Sequence, residues 1–115
     1  MAQKEISSDL VGMEFDASEV SWKADDTQLY ALAVGAKPDE ELDFVYENKG
    51  PKVLPTFGVI PGINLLTDLV MNVKVNLAMV LHGEQMITLH RPIPPEAKGT
   101  STAKIVDVFD KGKGA

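Results

Sequence analysis

A proline and a glycine, Pro61-Gly62, interrupt an apolar stretch whose spacing is otherwise helical. The pattern before them predicts a helix that begins near Thr56. After them, five apolar residues continue at helical spacing: Ile63, Leu65, Leu66, Leu69 and Val70. Proline lacks the N–H that an interior helical turn needs, and glycine loosens the backbone. The sequence therefore predicts a broken or shortened helix.

The size and charge of the chain limit its function. At 115 residues it is long enough for one small domain with a single core. Acidic residues exceed basic ones by 17 to 11, which argues against general binding to nucleic acid or to an anionic membrane. A local group of lysines could still meet an anionic ligand. The chain has no cysteine, so disulfides and thiolate metal sites are excluded, and a reducing compartment fits.

The two ends of the sequence differ in character. Residues 1–11 are polar and predict a flexible arm, and residues 12–115 are assigned to the domain. The N-terminus has no apolar signal core, and no segment approaches the about 18 to 20 apolar residues of a spanning helix, so we expect a protein that is not secreted and does not span a membrane. Asp110-Lys111-Gly112 is typical of a turn after a strand, which predicts a domain incomplete at its C-terminus.

Short periodic segments predict the remaining elements. Met13 to Ala17 alternate as a strand does, and Val20 and Trp22 resume on the opposite parity, which indicates a bulge near Ser18. Asp25 and Gln28 have capping-box spacing at the start of a helix that Gly35 would end.

Three further strands are predicted after this helix. Leu42 to Tyr46 alternate and precede a turn signal at Asn48-Lys49-Gly50-Pro51. Gln85 to His90 also alternate, and the proline-rich run after them cannot continue a ladder. We expect this strand to pair antiparallel with residues 100–109, which are rich in β-branched side chains.

His82-Gly83 separates two apolar parts of the stretch from Val75 to Pro92. Glycine lacks a Cβ, so its backbone can take a positive φ or lie close to a ligand, and an imidazole is held just before it. This predicts a corner that faces a ligand. His82 and Glu84 are not interpreted as an acid and base pair, because residues two apart on an extended segment lie roughly 6 to 7 Å apart.

Four blocks of sequence carry a resemblance to a known family: Tyr30 to Ala36 (YALAVGA), Leu54 to Ile60 (LPTFGVI), Val80 to Gln85 (VLHGEQ) and Asp110 to Gly112 (DKG). Together, in this order, they resemble the N-terminal half of the hydratase 2, or MaoC-like dehydratase, family, the (R)-specific 2-enoyl-CoA hydratases. The resemblance covers the chain from about Gly12 to Ala115.

The resemblance implies an α+β hot-dog fold, in which an antiparallel sheet wraps around a shortened central helix and leaves room for an acyl chain. It implies that His82, Gly83 and Lys111 bind acyl-CoA, with Gly83 admitting the thioester or pantetheine arm and Lys111 meeting the CoA phosphates. The CoA thioester is the substrate, and no cofactor or metal is implied. The expected location is the cytoplasm of a bacterium or the peroxisomal matrix.

The reaction implied is reversible hydration of trans-2-enoyl-CoA to (3R)-3-hydroxyacyl-CoA. The family's catalytic signature, Tyr-Arg-x-Ser-Gly-Asp-x-Asn-Pro-x-His, is not present in these residues, so no catalytic residue is assigned. The resemblance places the catalytic Asp and His in a second hot-dog repeat or chain. We expect this chain to pair with that second hot-dog repeat or chain and to form a dimer. We also expect that this chain alone does not hydrate enoyl-CoA.

Two other functions remain open from the sequence. One is a non-catalytic acyl-CoA-binding or assembly subunit that pairs with a separate catalytic hot-dog chain. The other is a hot-dog thioesterase, for which Asp68 is the candidate carboxylate. Two histidines without close spacing provide no metal ligand set, and no phosphate-binding glycine loop or nucleophile elbow is present.

Overall fold

The computed structural model of the protein describes residues 2–113. It contains helices and a two-stranded antiparallel sheet, so the predicted α+β class is confirmed. The α-helices are α1 (Ala24–Ala33), α2 (Leu42–Val45), α3 (Val59–Gly62) and α4 (Asn64–Asn72). The strands are β1 (Ser18–Trp22) and β2 (Ala97–Ser101). Short 3-10 helices lie at Ser8–Leu10, Glu47–Lys49, Pro55–Gly58 and Leu77–Met79. Residues 1 and 114–115 of the predicted ranges lie outside the described residues.

The predicted interruption of the helix is confirmed. The 3-10 helix Pro55–Gly58 runs directly into α3, which ends at Gly62, and α4 begins at Asn64. Ile63 separates the two helices, although its own backbone remains helical at φ −64° and ψ −27°. Pro55 begins the 3-10 helix, where the missing N–H of a proline has no partner and is tolerated.

Helix α1 shows how local sequence sets an element's ends. The backbone N–H of Lys23 donates to the Asp26 carboxylate at 2.9 Å, so the capping contact lies two residues earlier than the predicted Asp25 cap. At the other end Gly35 takes a φ of +104°, as predicted for a terminator. The N–H of Ala36 donates to the Ala31 carbonyl at 2.9 Å, which closes the last turn.

The pairing of the two strands is interrupted where the apolar residues shift from odd to even positions in the sequence. β1 and β2 form the sheet, and an isolated antiparallel bridge joins Glu14 to Lys104 farther along the same two segments. Phe15 donates its N–H to the Ala103 carbonyl at 3.0 Å. The pairing therefore stops between Phe15 and Ser18, close to the predicted bulge.

The strand predicted from Leu42 to Tyr46 is wrong, because residues of this segment form the one-turn helix α2. The N–H of Tyr46 donates to the Leu42 carbonyl at 2.9 Å. Just before it, the N–H of Lys37 donates to the Glu41 carboxylate at 2.7 Å and folds the acidic connection into a turn. Leu42 and Val45 are three residues apart, so a short alternation also satisfies one helical turn.

The strand predicted from Gln85 to His90 is also wrong, since residues 80–96 contain no helix or strand. β2 begins at Ala97 and pairs with β1 instead. Ile87 and Leu89 nevertheless both lie beside Gly58. A Cβ placed on Gly58 would lie 3.7 Å from Leu89 Cδ2 and 4.0 Å from Ile87 Cγ2.

The chain forms two compact units. The second unit, residues 19–62 and 86–99, is centred on Phe57, whose side chain is buried. The rings of Trp22 and Tyr30 meet Phe57 edge to face, with centroids 5.9 and 5.6 Å away. This geometry suits aromatic quadrupoles. Trp22 is thus half-buried and packs against the centre of this unit.

The first unit comprises residues 2–18, 63–85 and 100–113. Its buried apolar residues are Leu10 and Val73. In this unit the N-terminal segment pairs with the chain that follows α4, through a parallel bridge between Lys4 and Val73. Among the described residues, no helix has both the length and the apolar composition needed to cross a bilayer.

Candidate ligand-binding site

A cavity of about 340 Å³ lies within the first unit. All of its lining residues come from three chain segments of that unit, and most are apolar. They are Ile6, Leu10, Leu69, Val73, Val75, Ile105, Asp107, Val108, Phe109 and Lys111. A volume of this size is at the lower end of the range for small-molecule sites.

The inner surface of the cavity is apolar. Leu10 and Val73 are only 3% and 2% exposed, which makes them the most buried of the lining residues, and we call them its floor. Leu69, Val75 and Ile105 also line the cavity and are half-buried. An apolar chain that enters would exchange water for these side chains, which stabilises it by about 0.8 kcal/mol for each buried methylene group.

Charge appears only at the rim of the cavity. Asp107 and Lys111 are both exposed, and Phe109 beside them is 62% exposed. One oxygen of Asp107 already accepts the N–H of Val108 at 2.8 Å. The site is therefore amphipathic, with an apolar interior and an exposed ammonium group at its edge.

A tight turn holds Lys111 at the rim. The N–H of Gly112 donates to the Asp110 carboxylate at 2.9 Å, and Gly112 takes a φ of +78°. Aspartate commonly closes such a turn with its own side chain, and glycine accepts the left-handed backbone. The predicted change of chain direction at Asp110-Lys111-Gly112 is confirmed, but the strand predicted before it is wrong from residue 102 on, because residues 102–109 form no strand beyond the isolated bridge at Lys104.

The N-terminal segment supplies two lining residues that the sequence analysis missed. Ile6 and Leu10 belong to the region interpreted as a polar arm, yet both face the cavity. The Ser7 hydroxyl accepts the N–H of Asp9 at 3.3 Å and starts the 3-10 helix Ser8–Leu10. Two apolar residues spaced four apart in a polar segment were the signal available in the sequence.

His82 and Gly83 lie in the first unit but are not among the residues that line this cavity. The His82 side chain is exposed, and its Nε2 lies 2.9 Å from the Glu84 carbonyl oxygen. Because a carbonyl only accepts, this contact assigns the proton to Nε2 and a lone pair to Nδ1 in the neutral ring. The role of His82 in binding stays a prediction.

Gly83 does not need to be glycine for conformational reasons. Its φ is not positive, and a Cβ built at this position meets no atom within 4 Å. The turn geometry invoked from the sequence is thus not used here. Room for a ligand to approach the backbone is the remaining reason to place glycine at this position, and it too stays a prediction.

Other site chemistries find little support in the described residues. No group of three or more histidine, aspartate or glutamate side chains in residues 2–113 could hold a metal ion. Asp68 is half-buried on α4, but it does not line the cavity. The thioesterase hypothesis required a carboxylate that faces the pocket, and Asp68 does not meet that requirement.

Comparison with known proteins gives a family match over most of the chain. The model of the MFE-2 hydratase 2 N-terminal domain family matches residues 20–115. The match includes all four sequence blocks described above and the C-terminal part of the cavity lining. Ile6 and Leu10 lie before its first residue.

Individual relatives point the same way. The chain is 33% identical over 113 residues to enoyl-CoA hydratase ChsH3 of Mycobacterium tuberculosis, covering 91% of this chain and 39% of that protein. It is 34% identical over 114 residues to 3-hydroxyacyl-thioester dehydratase Y of the same organism, covering 95% and 38%. It is 36% identical over 111 residues to peroxisomal multifunctional enzyme type 2 of Mus musculus, covering 90% and 15%. The chain thus spans well under half the length of these relatives.

Proposed function

Because this chain belongs to the MFE-2 hydratase 2 N-terminal domain family, we propose that it is the acyl-CoA-binding half of an (R)-specific enoyl-CoA hydratase. The overall reaction adds water to trans-2-enoyl-CoA and gives (3R)-3-hydroxyacyl-CoA. In this proposal the first unit holds the acyl chain, and a second hot-dog repeat or chain supplies the catalytic Asp and His.

The observation that carries the proposal is the change from an apolar floor to a charged rim within one cavity. An acyl-CoA has an apolar tail and an anionic nucleotide joined by the pantetheine arm. The tail would occupy the space above Leu10 and Val73, while the Lys111 ammonium group would attract the phosphates. The rim carboxylate of Asp107 opposes this attraction, so the net electrostatic contribution is small.

The proposed fold is a hot-dog domain with a shortened central helix. The break at Ile63, between α3 and α4, supports it, since a shorter helix leaves space beside a sheet. The full antiparallel sheet of that fold needs more strands than β1 and β2, and the proposal assigns the additional pairing to the complete assembly.

Hydration needs a base for the water, an acid for the α-carbon and donors for the thioester oxygen. The described cavity offers Lys111 and Asp107, both at its rim, and no paired acid and base at its interior. We therefore propose that the chain alone binds the ester without hydrating it. The relatives include peroxisomal and bacterial enzymes, and the proposed compartment is accordingly the peroxisomal matrix or the bacterial cytoplasm.

Isothermal titration calorimetry tests the binding. Decanoyl-CoA should bind at least about tenfold more tightly than butyryl-CoA, because each additional buried methylene contributes up to about 0.8 kcal/mol. Free CoA should bind more weakly than either. Equal affinities for the two esters, or no binding of either, would contradict the proposal. Measurable hydration of crotonyl-CoA or decenoyl-CoA by this chain alone would contradict the assignment of catalysis to a second repeat.

A second candidate function is an assembly subunit that pairs with a separate catalytic hot-dog chain. Four apolar side chains in the first unit favour it because they are exposed in one short segment: Leu77, Met79, Val80 and Leu81, the last being 92% exposed. Contiguous exposed apolar residues of this kind commonly mark a protein interface.

The double variant Met79→Lys with Leu81→Lys tests this second function. It should weaken association with a catalytic hot-dog chain in co-purification and in sedimentation, and leave decanoyl-CoA binding unchanged. The matched control is Leu29→Lys, which places a lysine on an exposed site of α1. An unchanged association in the double variant would contradict the assembly role.

A further inference from the structure

We propose that Leu10 and Ile6 are specificity-determining residues: Leu10 limits the length of the acyl chain that binds, and Ile6 contacts acyl chains of every length. This inference rests on the proposed binding of acyl-CoA in the cavity of the first unit. It goes beyond that function because both residues lie outside the 20–115 range that the family match covers. The chain-length preference would then be set by a segment that precedes the matched domain.

The register of the N-terminal segment is fixed by its backbone. The N–H of Lys4 donates to the Asn72 carbonyl, and the N–H of Lys74 donates to the Lys4 carbonyl, both at 2.8 Å. The Gln3 side-chain amide adds a contact of 2.8 Å to the Val70 carbonyl. These contacts place Lys4 beside Val73, a residue of the cavity floor. A shift in pairing would move Ile6 relative to the cavity, so the register matters.

An ion pair adds to this attachment on the surface. Lys74 Nζ lies 2.8 Å from Glu5 Oε1, next to the backbone contact between Lys74 and Lys4. Both side chains are largely exposed, so the pair favours the same register without dominating it.

Burial divides the roles of the two residues. Leu10 is 3% exposed and belongs to the floor, so its side chain would meet the end of a long acyl tail. Ile6 is 46% exposed, and from this exposure we infer that it lies toward the open side. With the CoA portion at the Lys111 rim, Ile6 would contact carbons nearer the thioester. Leu10 would therefore set a length limit, whereas Ile6 would affect every chain length.

Substitutions at Leu10 separate this role from general stability. Leu10→Ala removes three carbon atoms from the floor, so the limit should move to acyl chains about two to three carbons longer. Leu10→Phe fills the space and should move the limit to shorter chains. A residue with only a structural role would weaken binding of all lengths in both variants, without opposite shifts.

Calorimetric titration with a series from butyryl-CoA to tetradecanoyl-CoA tests the inference. In the unaltered chain, affinity should rise with length and then level off. The levelling point should shift upward in Leu10→Ala and downward in Leu10→Phe. Ile6→Ala should weaken every ester that reaches it by about threefold or more, with the levelling point unchanged. Val11→Ala is the control, because Val11 is exposed, adjacent in sequence and outside the cavity lining.

The results separate the inference from the function on which it rests. If the unaltered chain shows length-dependent binding and the levelling point is the same in all Leu10 variants, the role of Leu10 is wrong and the proposed function stands. If the unaltered chain binds no ester, both are wrong. Circular dichroism verifies folding of each variant. Leu10→Val, with an expected shift of about one carbon, replaces Leu10→Ala if the latter does not fold.

Discussion

Trp22 donates a hydrogen bond of 2.8 Å from its indole Nε1 to the carbonyl oxygen of Pro94. Pro94 lies in a connection whose prolines, Pro92, Pro94 and Pro95, have no N–H to donate. The indole therefore attaches this connection to β1 through a carbonyl. That attachment explains how a proline-rich segment can precede β2 and still bring it beside β1.

Substitutions at Trp22 should separate this hydrogen bond from aromatic packing. Trp22→Phe keeps a ring against Phe57 but loses the donor, so it should lower the free energy of unfolding by about 1 kcal/mol. Trp22→Ala also loses the packing and should cost about 2 to 4 kcal/mol. Urea denaturation followed by far-UV circular dichroism measures both. Equal losses in the two variants would show that the indole N–H contributes the whole effect.

Two glycine substitutions should change stability in opposite directions. Gly35→Ala places a Cβ on a residue with a φ of +104° and should lower the free energy of unfolding by about 1 to 2 kcal/mol. Gly62→Ala lies in α3, where an added Cβ meets no atom within 4 Å, and should raise it by about 0.5 kcal/mol. Thermal unfolding of both variants provides the test. A loss of stability in Gly62→Ala would mean that the break at Ile63 needs a flexible neighbour.

The ion pair between Glu5 and Lys74 should be visible in a titration. The hydrogen bond from Lys74 to Glu5, and then the charge of Glu5, raise the pKa of Lys74 above its ordinary value of 10.5. In the folded state, the Lys74 ammonium group therefore stays protonated to a higher pH than in the unfolded state. The stabilising effect is complete below pH 10.5 and is lost as the pH rises through the folded-state pKa.

Nuclear magnetic resonance of the Lys74 side chain measures this pKa directly. Glu5→Gln should bring it back toward 10.5, because the partner charge is removed. Glu14→Gln is the control for a loss of one negative charge in the same unit and should leave it raised. An unchanged pKa in Glu5→Gln would contradict the pairing of the N-terminal segment with residue 74.

Lys111 should contribute to acyl-CoA binding in a way that depends on salt. Lys111→Gln should weaken decanoyl-CoA binding by about two- to fivefold at low ionic strength, because an exposed ammonium group contributes about 0.5 to 1 kcal/mol. The difference should shrink near 1 M salt, where the screening length is about 3 Å. Lys98→Gln, on β2 and outside the cavity lining, is the control. A salt-independent effect, or one equal to that of the control, would exclude Lys111 as a phosphate contact.

The sequence predicted elements whose signals are local and strong. Pro61-Gly62 acts on the backbone itself, so the break between α3 and α4 could be foreseen. The same holds for Gly35 and for the Asp110 turn, where one residue type satisfies the required geometry. The prediction of a strand from Leu42 to Tyr46 failed because five alternating residues also fit one turn of helix. The contacts of Lys37 with Glu41 favour the helix.

The candidate site was predicted only in part, for a related reason. Lys111 could be named because its Asp-Lys-Gly block is one of the four that carry the family resemblance. Ile6 and Leu10 could not, because their place in the cavity lining depends on backbone pairing between Lys4 and residues 72–74, nearly seventy positions away. The prediction of a strand from Gln85 to His90 failed for the same reason. The residues alternate in the sequence, but β2 pairs with β1 and not with this segment.

The bond from Gln3 to the Val70 carbonyl has a practical consequence for laboratory work. An affinity tag fused ahead of Gln3 would sit only three residues from Ile6, at the open side of the cavity. Its bulk could compete with an incoming ester or loosen the pairing at Lys4. Affinities obtained after proteolytic removal of the fusion are the appropriate reference values.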